Sequence, residues 1–548
     1  MRLLILQFCY FLLLTNTFTY AQTNIKDYEG HWEGTFKHEH IFNFDVSLEV
    51  LGNRKYKLSI SNQDFSIQKN IISSSKKTIE FALNETTFFS GMMEKNGSEI
   101  NGFISSGIYF YHVTLTKNEN NTYSGKWNIF LLEKLLSKAI FLSIENIHKG
   151  SFDAYPFFGD KRFAGTWCMN AQKQNNIISF QDFRTGLHFK GSLSKNTINL
   201  NILLLNKVIT SVQLKKSSKE WQYPNLNSLQ TKVKNNLPLK RLENDILSNK
   251  LPNIHSILVS KNGNMVYEQY FNGYTSQTPH DQRSASKSIT SAITGIAIDK
   301  GLLKNENQLL YQYIPKQYQS TKDSLKSLIT IKDLLTMSSG LDVSSKASEQ
   351  TYQNSPNWLQ TVLSAPMVYP PGTKAQYGSA NPFLLGIILQ KVSPTPIQLY
   401  MDQYLFKPLN IQNYAVQKDL TGQPYFAGGI YLTPRDMVKF GQLYLQQGKW
   451  NGDQIISKAW IKKSVKKYHQ LDNVKNKNEY GYLWWHHSYN RENQHYTSIE
   501  ARGNGGQYIV IVPKLKVVCV ITAGNYNSKR TQLPETILEE HILPSLTN

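Results

Sequence analysis

The chain has 548 residues, of which 40% are hydrophobic and 18% charged, and its formal net charge is +21. A chain of this length is longer than a typical single domain, so we expect two or three domains. The composition excludes a disordered chain. The positive charge is spread along the sequence without a concentrated basic tract or a paired Cys/His finger, which argues against nucleic-acid binding. We expect a solvated basic surface with a mild attraction to anionic polymers of the cell envelope.

The N-terminus has the pattern of a signal peptide. An apolar run from Leu3 to Leu14 follows Met1-Arg2, and Thr19-Tyr20-Ala21 places small residues where a signal peptidase reads them. A run of about 12 residues fits a signal peptide and is too short to span a bilayer. We predict that residues 1–21 are removed and that the mature protein is secreted or periplasmic, without a transmembrane segment.

Short runs of alternating hydrophobicity characterise residues 22–217. Phe42–Val50 and Tyr56–Ile60 alternate with period two, and turn signals such as Asn96-Gly97 separate the runs. Because this is the period of a half-buried strand, we predict an all-β region built as one or two small sandwiches or barrels. Its sequence carries no catalytic pattern. The polar segment 218–236 is predicted to be a linker.

The pattern changes in residues 237–548. A hairpin is predicted over Ser256–Phe271, where Asn262-Gly263 suits a tight turn, and another over Tyr508–Thr522. Helical patterns dominate from Ser284 to about Leu445. Strands at both ends with helices between them predict an α/β (α+β) domain, in which an antiparallel sheet is covered by helices.

The first chemical motif is an S-x-x-K sequence formed by Ser284 and Lys287. On a helix, residues three apart share a face. A serine hydroxyl becomes an effective nucleophile only when a neighbouring base takes its proton, and a buried lysine amine can act as that base. The same pattern occurs elsewhere in the chain, but only here does a long apolar helical stripe follow it. The stripe consists of Ile289, Ala292, Ile293 and Ile296.

Further motifs follow in order along the chain. They are RSASKSITS at 283–291, IKDLLTMSSGL at 331–341, YGSANPFLLG at 377–386, GGIYLTPRDM at 428–437, YGYLWW at 480–485 and GGQY at 505–508. Together they resemble the serine β-lactamase and penicillin-binding-protein superfamily, and its class C branch most. The resemblance covers about residues 240–543 and leaves out the N-terminal region. It implies a class C β-lactamase-like fold.

The resemblance also implies roles for individual residues. Ser284 is the expected nucleophile, Lys287 its proton acceptor, and Tyr377 a general base and acid. Ser379 stands where the family commonly has Asn in a Y-x-N motif, although Ser379-Ala380-Asn381 also fits the S-x-N of other branches. The main-chain N–H groups of Ser284 and Asn504 are expected to form an oxyanion hole. The predicted substrate-binding residues are Ser379, Gly503, Asn504, Trp484 and Trp485.

One motif departs from the family. Where the family has K-x-G or H-x-G, this chain has Ala501-Arg502-Gly503. In an extended strand Arg502 points to the face opposite Ala501, so it need not replace the missing basic group. That group normally helps to hold a substrate carboxylate, so its loss disfavours β-lactam or D-Ala-D-Ala substrates. The histidines do not recur at metal-ligand spacing, and neither a metal nor a cofactor is predicted.

The sequence therefore predicts a secreted serine hydrolase that cleaves an ester or amide of a small-molecule or peptide-like substrate. Two alternatives remain open at this point. One is a β-lactamase or D,D-peptidase acting on cell-wall-like substrates. The other is a non-catalytic, penicillin-recognising binding or sensor protein whose β-region does the recognition.

Overall fold

The structure is a computed structural model that describes residues 24–118, 121–148, 151–160, 162, 166, 168–218, 236–474, 478–491 and 494–547. The predicted signal peptide and the predicted linker, apart from the two end residues of the linker, lie outside the described residues. Within the described part of the chain, no helix is long and apolar enough to cross a membrane.

The N-terminal region is all β, as predicted. Alternating burial, as in Phe44, Val46 and Leu48 of the second strand, directs one face of each strand inward. The strands are β1 (Gly30–Thr35), β2 (Asn43–Gly52), β3 (Lys55–Ser61), β4 (Ser66–Ile72), β5 (Ile79–Ala82), β6 (Phe88–Met93), β7 (Glu99–Ser106), β8 (Tyr109–Lys117), β9 (Thr122–Asn128), β10 (Ala139–His148), β11 (Ser151–Phe158), β12 (Cys168–Gln174), β13 (Ile177–Asp182), β14 (His188–Ser194), β15 (Thr197–Leu204) and β16 (Lys207–Ser217).

These strands form two antiparallel sheets. The first has the order β11-β10-β1-β16-β15-β14-β13-β12, and its two edge strands approach each other, so that the sheet curls towards a barrel. The second contains β2 to β9. A shared core of aromatic and aliphatic side chains, with Trp32 and Trp127 each 1% exposed, joins the two sheets. The expectation of a sandwich or barrel is thus confirmed.

The C-terminal region contains the predicted mixture of strands and helices. Its strands are β17 (Ile254–Lys261), β18 (Asn264–Tyr270), β19 (His280–Asp281), β20 (Ala415–Gln417), β21 (Ile430–Leu432), β22 (Lys449–Trp450), β23 (Asp453–Gln454), β24 (His469–Gln470), β25 (Glu479–Tyr480), β26 (Trp485–Arg491), β27 (Gln494–Gly503), β28 (Gln507–Val512) and β29 (Val517–Ala523). Its helices are α1 (Leu237–Leu247), α2 (Ser286–Asp299), α3 (Ile331–Leu335), α4 (Glu349–Gln353), α5 (Trp358–Ser364), α6 (Ala380–Val392), α7 (Ile397–Met401), α8 (Pro434–Leu445), α9 (Lys458–Ser464), α10 (Leu533–Ile537) and α11 (Leu543–Thr547).

The main sheet of this region is antiparallel, with the order β18-β17-β29-β28-β27-β26-β25-β24. Both faces are covered, because the strands β28 and β29 are buried along their whole length. Helices α2, α6 and α8 pack in the core on one face, and α1 and the C-terminal helices pack on the other. The predicted antiparallel sheet covered by helices is confirmed.

The two regions are joined by a continuous sheet. Strand β20 pairs with β8 of the N-terminal region on one side and with β21 on the other. Strand β21 in turn pairs with β19, where His280 lies opposite Leu432 and Asp281 opposite Tyr431. Since β19 ends three residues before Ser284, a hydrogen-bonded ladder leads from the N-terminal sheet to the predicted nucleophile.

Candidate active site

The predicted nucleophile lies at the entry to helix α2. Ser284 belongs to a single 3-10 turn, Arg283–Ala285, and α2 begins directly after it at Ser286. The helix is buried on nearly all sides up to Ala297, so the turn is fixed to the core. Ser284 itself is half-buried and keeps contact with solvent.

Lys287 lies directly beside this serine. Its Nζ donates to Ser284 Oγ at 2.9 Å and to the carbonyl oxygen of Ala427 at 2.5 Å. The lysine is only 1% exposed. A nucleophile within hydrogen-bond distance of a candidate base is the arrangement that proton abstraction requires.

Tyr377 approaches the same lysine from the loop before α6. Lys287 Nζ lies 5.5 Å from the centre of its ring. The ring packs against Trp485 at 4.9 Å and Tyr480 at 6.1 Å. The side chain of Asn473 fixes its main chain, since Tyr377 N–H donates to Asn473 Oδ1 at 2.6 Å and Asn473 Nδ2 donates to the carbonyl of Tyr377 at 2.9 Å. The structure thus brings Ser284, Lys287 and Tyr377 together.

Ser379, predicted to bind substrate, contacts a glutamate side chain. Its hydroxyl donates to Glu349 Oε2 at 2.8 Å. The other oxygen of Glu349 accepts from the hydroxyl of Tyr425 at 2.7 Å, and this hydroxyl is also bonded to that of Tyr352. Sequence reasoning did not single out Glu349 or Asn473, because their contacts span 30 and 96 residues and no local motif marks them.

The end of β27 lies against the nucleophile turn. A Cβ atom added to Gly503 would stand 2.1 Å from the carbonyl oxygen of Gln282, a distance that no real side chain tolerates. Glycine is therefore required for the strand to approach the turn this closely. The following Asn504 is exposed, and its side chain is tied to Asn527 by bonds of 2.6 and 3.0 Å. The assignment of Gly503 and Asn504 to substrate binding stays a prediction, and this close approach supports it.

Ala501, which stands where the family motif has a basic residue, lies in the core. Ala501 is 1% exposed and belongs to the main core. Arg502 points to the other face, where its Nε pairs with Glu500 and its Nη1 with Glu535, both at 2.7 Å. These ion pairs hold the guanidinium on the face covered by the C-terminal helices, so Arg502 does not take the place of the basic group that the family motif has at Ala501.

The two tryptophans predicted to bind substrate lie in different surroundings. Trp484 is fully buried, with its ring 4.5 Å from that of Tyr444 and 5.9 Å from that of Phe440. Trp485 is partly exposed and contacts the ring of Tyr377. Only Trp485 of this pair is therefore adjacent to the cluster of Ser284, Lys287 and Tyr377.

A polar cluster connects the N-terminal region to the nucleophile turn. Arg184 Nη2 donates to the hydroxyls of Tyr109 at 2.8 Å and Tyr431 at 2.9 Å. Burial raises the pKa of Tyr431 well above its ordinary value, so its hydroxyl stays protonated and donates to Asp281 Oδ2 at 3.5 Å. Asp281 in turn pairs with Arg283 Nε at 2.9 Å. Residues from both regions thus form one hydrogen-bonded network.

This network ends at a strained residue. Arg283, immediately before the nucleophile, has a φ of 48°, which lies in the left-handed region that side chains other than glycine seldom adopt. Its main-chain N–H donates to Asp281 Oδ1 at 2.9 Å, which holds the turn in this conformation. Beside it lies a cavity of about 670 Å³ whose walls come from both regions and include Tyr109, Arg184, Asp281, Arg283 and Gln353.

Part of the chain is similar to known proteins. Residues 255–541 match the model of the family described as Beta-lactamase. A 6-aminohexanoate-dimer hydrolase of Paenarthrobacter ureafaciens is 26% identical over 245 residues, which are 41% of this chain and 62% of that protein. Protein flp of Staphylococcus aureus (strain MW2) is 30% identical over 203 residues, which are 33% of this chain and 39% of that protein. The alignments thus span less than two thirds of each of these relatives.

Among solved structures, a penicillin-binding protein homolog from Caulobacter crescentus aligns with a TM-score of 0.47 and 12% identity, covering 58% of this chain and 100% of that one. The segment before residue 255, which includes the whole β-region, lies outside the family match. Since the matched segment makes up more than half of the 548 residues, the chain belongs to the beta-lactamase family of serine hydrolases.

Proposed function

We propose that this protein is a secreted serine hydrolase that cleaves an ester or an amide through an acyl-enzyme on Ser284. The observation that carries the proposal is the 2.9 Å contact between Lys287 Nζ and Ser284 Oγ, made by a lysine that is 1% exposed. A base held at this distance can take the serine proton without a movement of the heavy atoms.

The reaction proceeds in two stages. Ser284 Oγ transfers its proton to Lys287 and attacks the substrate carbonyl, and the N–H groups of Ser284 and Asn504 stabilise the oxyanion. The intermediate collapses when the bond to the leaving group breaks, and Tyr377 gives that group a proton. In the second stage a water molecule loses a proton to Tyr377 and attacks the acyl-enzyme. The bond to Ser284 Oγ then breaks, Lys287 returns the serine proton to this oxygen, and the carboxylic acid is released.

The surroundings of the site favour a substrate without a carboxylate next to the scissile bond. The position that supplies a basic group in the family is the buried Ala501, and Arg502 is held by Glu500 and Glu535. A β-lactam or a D-Ala-D-Ala peptide would therefore lack its usual cation. The relative named as a 6-aminohexanoate-dimer hydrolase supports a hydrolytic reaction over binding alone.

One panel of substrates tests the proposal. The full chain is assayed with short p-nitrophenyl esters, D-amino-acid amides and a chromogenic cephalosporin, each repeated with Ser284→Ala. We expect turnover of esters or amides that is lost in the variant. Turnover of the cephalosporin at enzyme-like rates would favour the β-lactamase or D,D-peptidase alternative. If no compound is turned over and mass spectrometry finds no acyl adduct on Ser284, the binding or sensor function is favoured.

The secreted location is a separate part of the proposal. It rests on the apolar run Leu3–Leu14 and the small residues before residue 22. Expression in a bacterial host, followed by fractionation and N-terminal sequencing, should give a mature chain that begins after Ala21 outside the cytoplasm. An intact Met1 on cytoplasmic protein would contradict export. Salt-sensitive binding of the mature protein to anionic wall polymers would support association with the cell envelope.

A further inference from the structure

A second cleft lies between the two regions of the chain, apart from the catalytic cluster. Its volume is about 1150 Å³. The strands β4 to β8 of the N-terminal region form one wall, and the segment around α7 together with the residues after β20 forms the other. The cleft exists because β8 pairs with β20. It therefore belongs to the assembled chain rather than to either region alone.

A lysine without a carboxylate partner lies in this cleft. Lys418 Nζ donates to Ser105 Oγ at 2.7 Å and lies 5.5 Å from the ring centre of Phe110. Among the ion pairs of the described residues, none involves Lys418. Burial lowers the pKa of Lys418 to about 8, as expected for an ammonium group that lacks a counter-ion. An anion bound here would pair with the ammonium group and raise its pKa again.

Two buried polar atoms in the same cleft also lack partners within the described part of the chain. They are Gln398 Oε1, on a side chain that is 5% exposed, and Thr395 Oγ1. A buried acceptor without a donor costs free energy, so Gln398 Oε1 needs an N–H or O–H group. The amide nitrogen of Gln398 already donates to Ser90 Oγ at 3.4 Å.

The register of the sheet sets the spacing of these groups. Ser105 lies opposite Phe88, and Ser90 is two residues further along the same strand as Phe88. The two serines therefore lie diagonally on one face of the sheet, roughly 7–8 Å apart. Their partners Lys418 and Gln398 reach them from the other wall, which suits a ligand whose carboxylate and N–H are only a few bonds apart.

The remaining lining defines the rest of the ligand. Phe88 is 45% exposed and Ile72 is 64% exposed, although both are large hydrophobic residues. Exposed apolar side chains that line one cleft mark a binding surface. Glu80 lies opposite Ser90 on the neighbouring strand, and its negative charge disfavours a second anionic group on the ligand. The ligand is thus a monocarboxylate with an apolar body.

We propose that this cleft binds an N-acyl amino acid, a compound with one carboxylate, an adjacent amide N–H and an apolar acyl chain. Lys418 takes the carboxylate, Gln398 Oε1 accepts from the amide N–H, and Phe88 and Ile72 contact the acyl chain. The site is independent of the proposed hydrolysis at Ser284, so either can fail without the other.

Isothermal titration calorimetry with N-octanoylglycine tests the proposal. The full chain carries Ser284→Ala so that no ligand is consumed. We expect saturable binding of N-octanoylglycine at one site. N-octanoylglycinamide, which lacks the carboxylate, and octanoate, which lacks the amide N–H, should both bind more weakly. Lys418→Met should weaken binding of N-octanoylglycine by about 10-fold to 100-fold, the effect of removing a charged hydrogen-bond partner. The exposed Lys190→Met on β14 is the matched control and should bind as the parent does.

Two further variants distinguish direct contacts with the ligand from a general loss of folding. Gln398→Leu should reduce the difference in affinity between N-octanoylglycine and octanoate, because the acceptor for the N–H is gone. Because Phe88 is exposed, the variant Phe88→Ser should fold. It should weaken the binding of N-octanoylglycine more than that of N-acetylglycine, whose acyl chain is short. Absence of saturable binding to the parent chain, or unchanged affinity in Lys418→Met with native circular dichroism, would overturn the proposal.

Discussion

The contact between Gly503 and the nucleophile turn permits a sharp test of the active-site geometry. In Gly503→Ala the new Cβ would lie 2.1 Å from the carbonyl oxygen of Gln282, whereas Cβ contacts shorter than 3.0 Å essentially never occur. The strand and the turn must therefore separate by about 1 Å, and a misplacement of this size lowers catalysis by roughly 100-fold. The φ of Gly503 is not in the left-handed region, so the effect comes from the contact alone.

The assay is kcat/KM for a p-nitrophenyl ester, measured with Gly503→Ala and with Gly428→Ala as the matched control. Gly428 lies on the other side of the same turn, and a Cβ there would meet its nearest atoms, in Tyr425 and Arg283, at 3.6 to 3.8 Å, which is ordinary contact. The control should therefore keep nearly full activity. Wild-type activity in Gly503→Ala, with an unchanged melting temperature, would refute the view that this close approach positions the nucleophile.

Three further predictions concern the base, the domain junction and acid stability. Lys287→Met should lower kcat/KM by about 10²-fold to 10⁴-fold, the usual contribution of a general base, in ester assays. Tyr109→Phe removes a hydroxyl that accepts from the half-buried Arg184, so the free energy of unfolding in urea should fall by about 1.5–3 kcal/mol. Burial lowers the pKa of His280 from 6.5 to about 3, so between these values the unfolded chain binds a proton that the folded chain does not. Stability should therefore fall as the pH drops through this window, by up to about 1.4 kcal/mol per pH unit.

Each of these has its own control. Lys190→Met, which changes an exposed lysine, should keep full ester turnover, and equal losses in both lysine variants would argue against a specific role for Lys287. For the junction, an unfolding free energy in Tyr109→Phe equal to that of the parent would contradict the importance of the contact with Arg184. For acid stability, His280→Phe keeps a ring against Tyr274, 4.8 Å away, and should flatten the pH profile. An unchanged slope in that variant would assign the acid sensitivity to other groups.

The N-terminal region contributes contacts close to the turn that carries Ser284. Its strand β8 extends the ladder that ends at Asp281, and its Arg184 reaches the hydroxyl of Tyr431. It also forms part of the wall of the cavity beside Arg283. The region is therefore built into the surroundings of the candidate active site.

The sequence alone determined the elements that are specified by residues close together in the chain. The hairpin around Asn262-Gly263 forms over β17 and β18 as predicted, because a tight turn and two alternating runs specify it without help from the rest of the chain. Ser284 and Lys287 are three residues apart at the start of a helix, so their contact is also a local property. The family motifs added Tyr377 and Gly503, whose positions only a resemblance could supply.

Tertiary structure alone decided the contacts that join distant segments. Glu349 meets Ser379, Asn473 fixes Tyr377, and Arg184 reaches Tyr431 across 247 residues. Such pairs leave no periodic or motif signal, since either residue would be equally plausible on a solvated surface. The pairing of β8 with β20 is of the same kind, because any exposed strand edge can accept a partner and only the packing of both regions selects which one it receives.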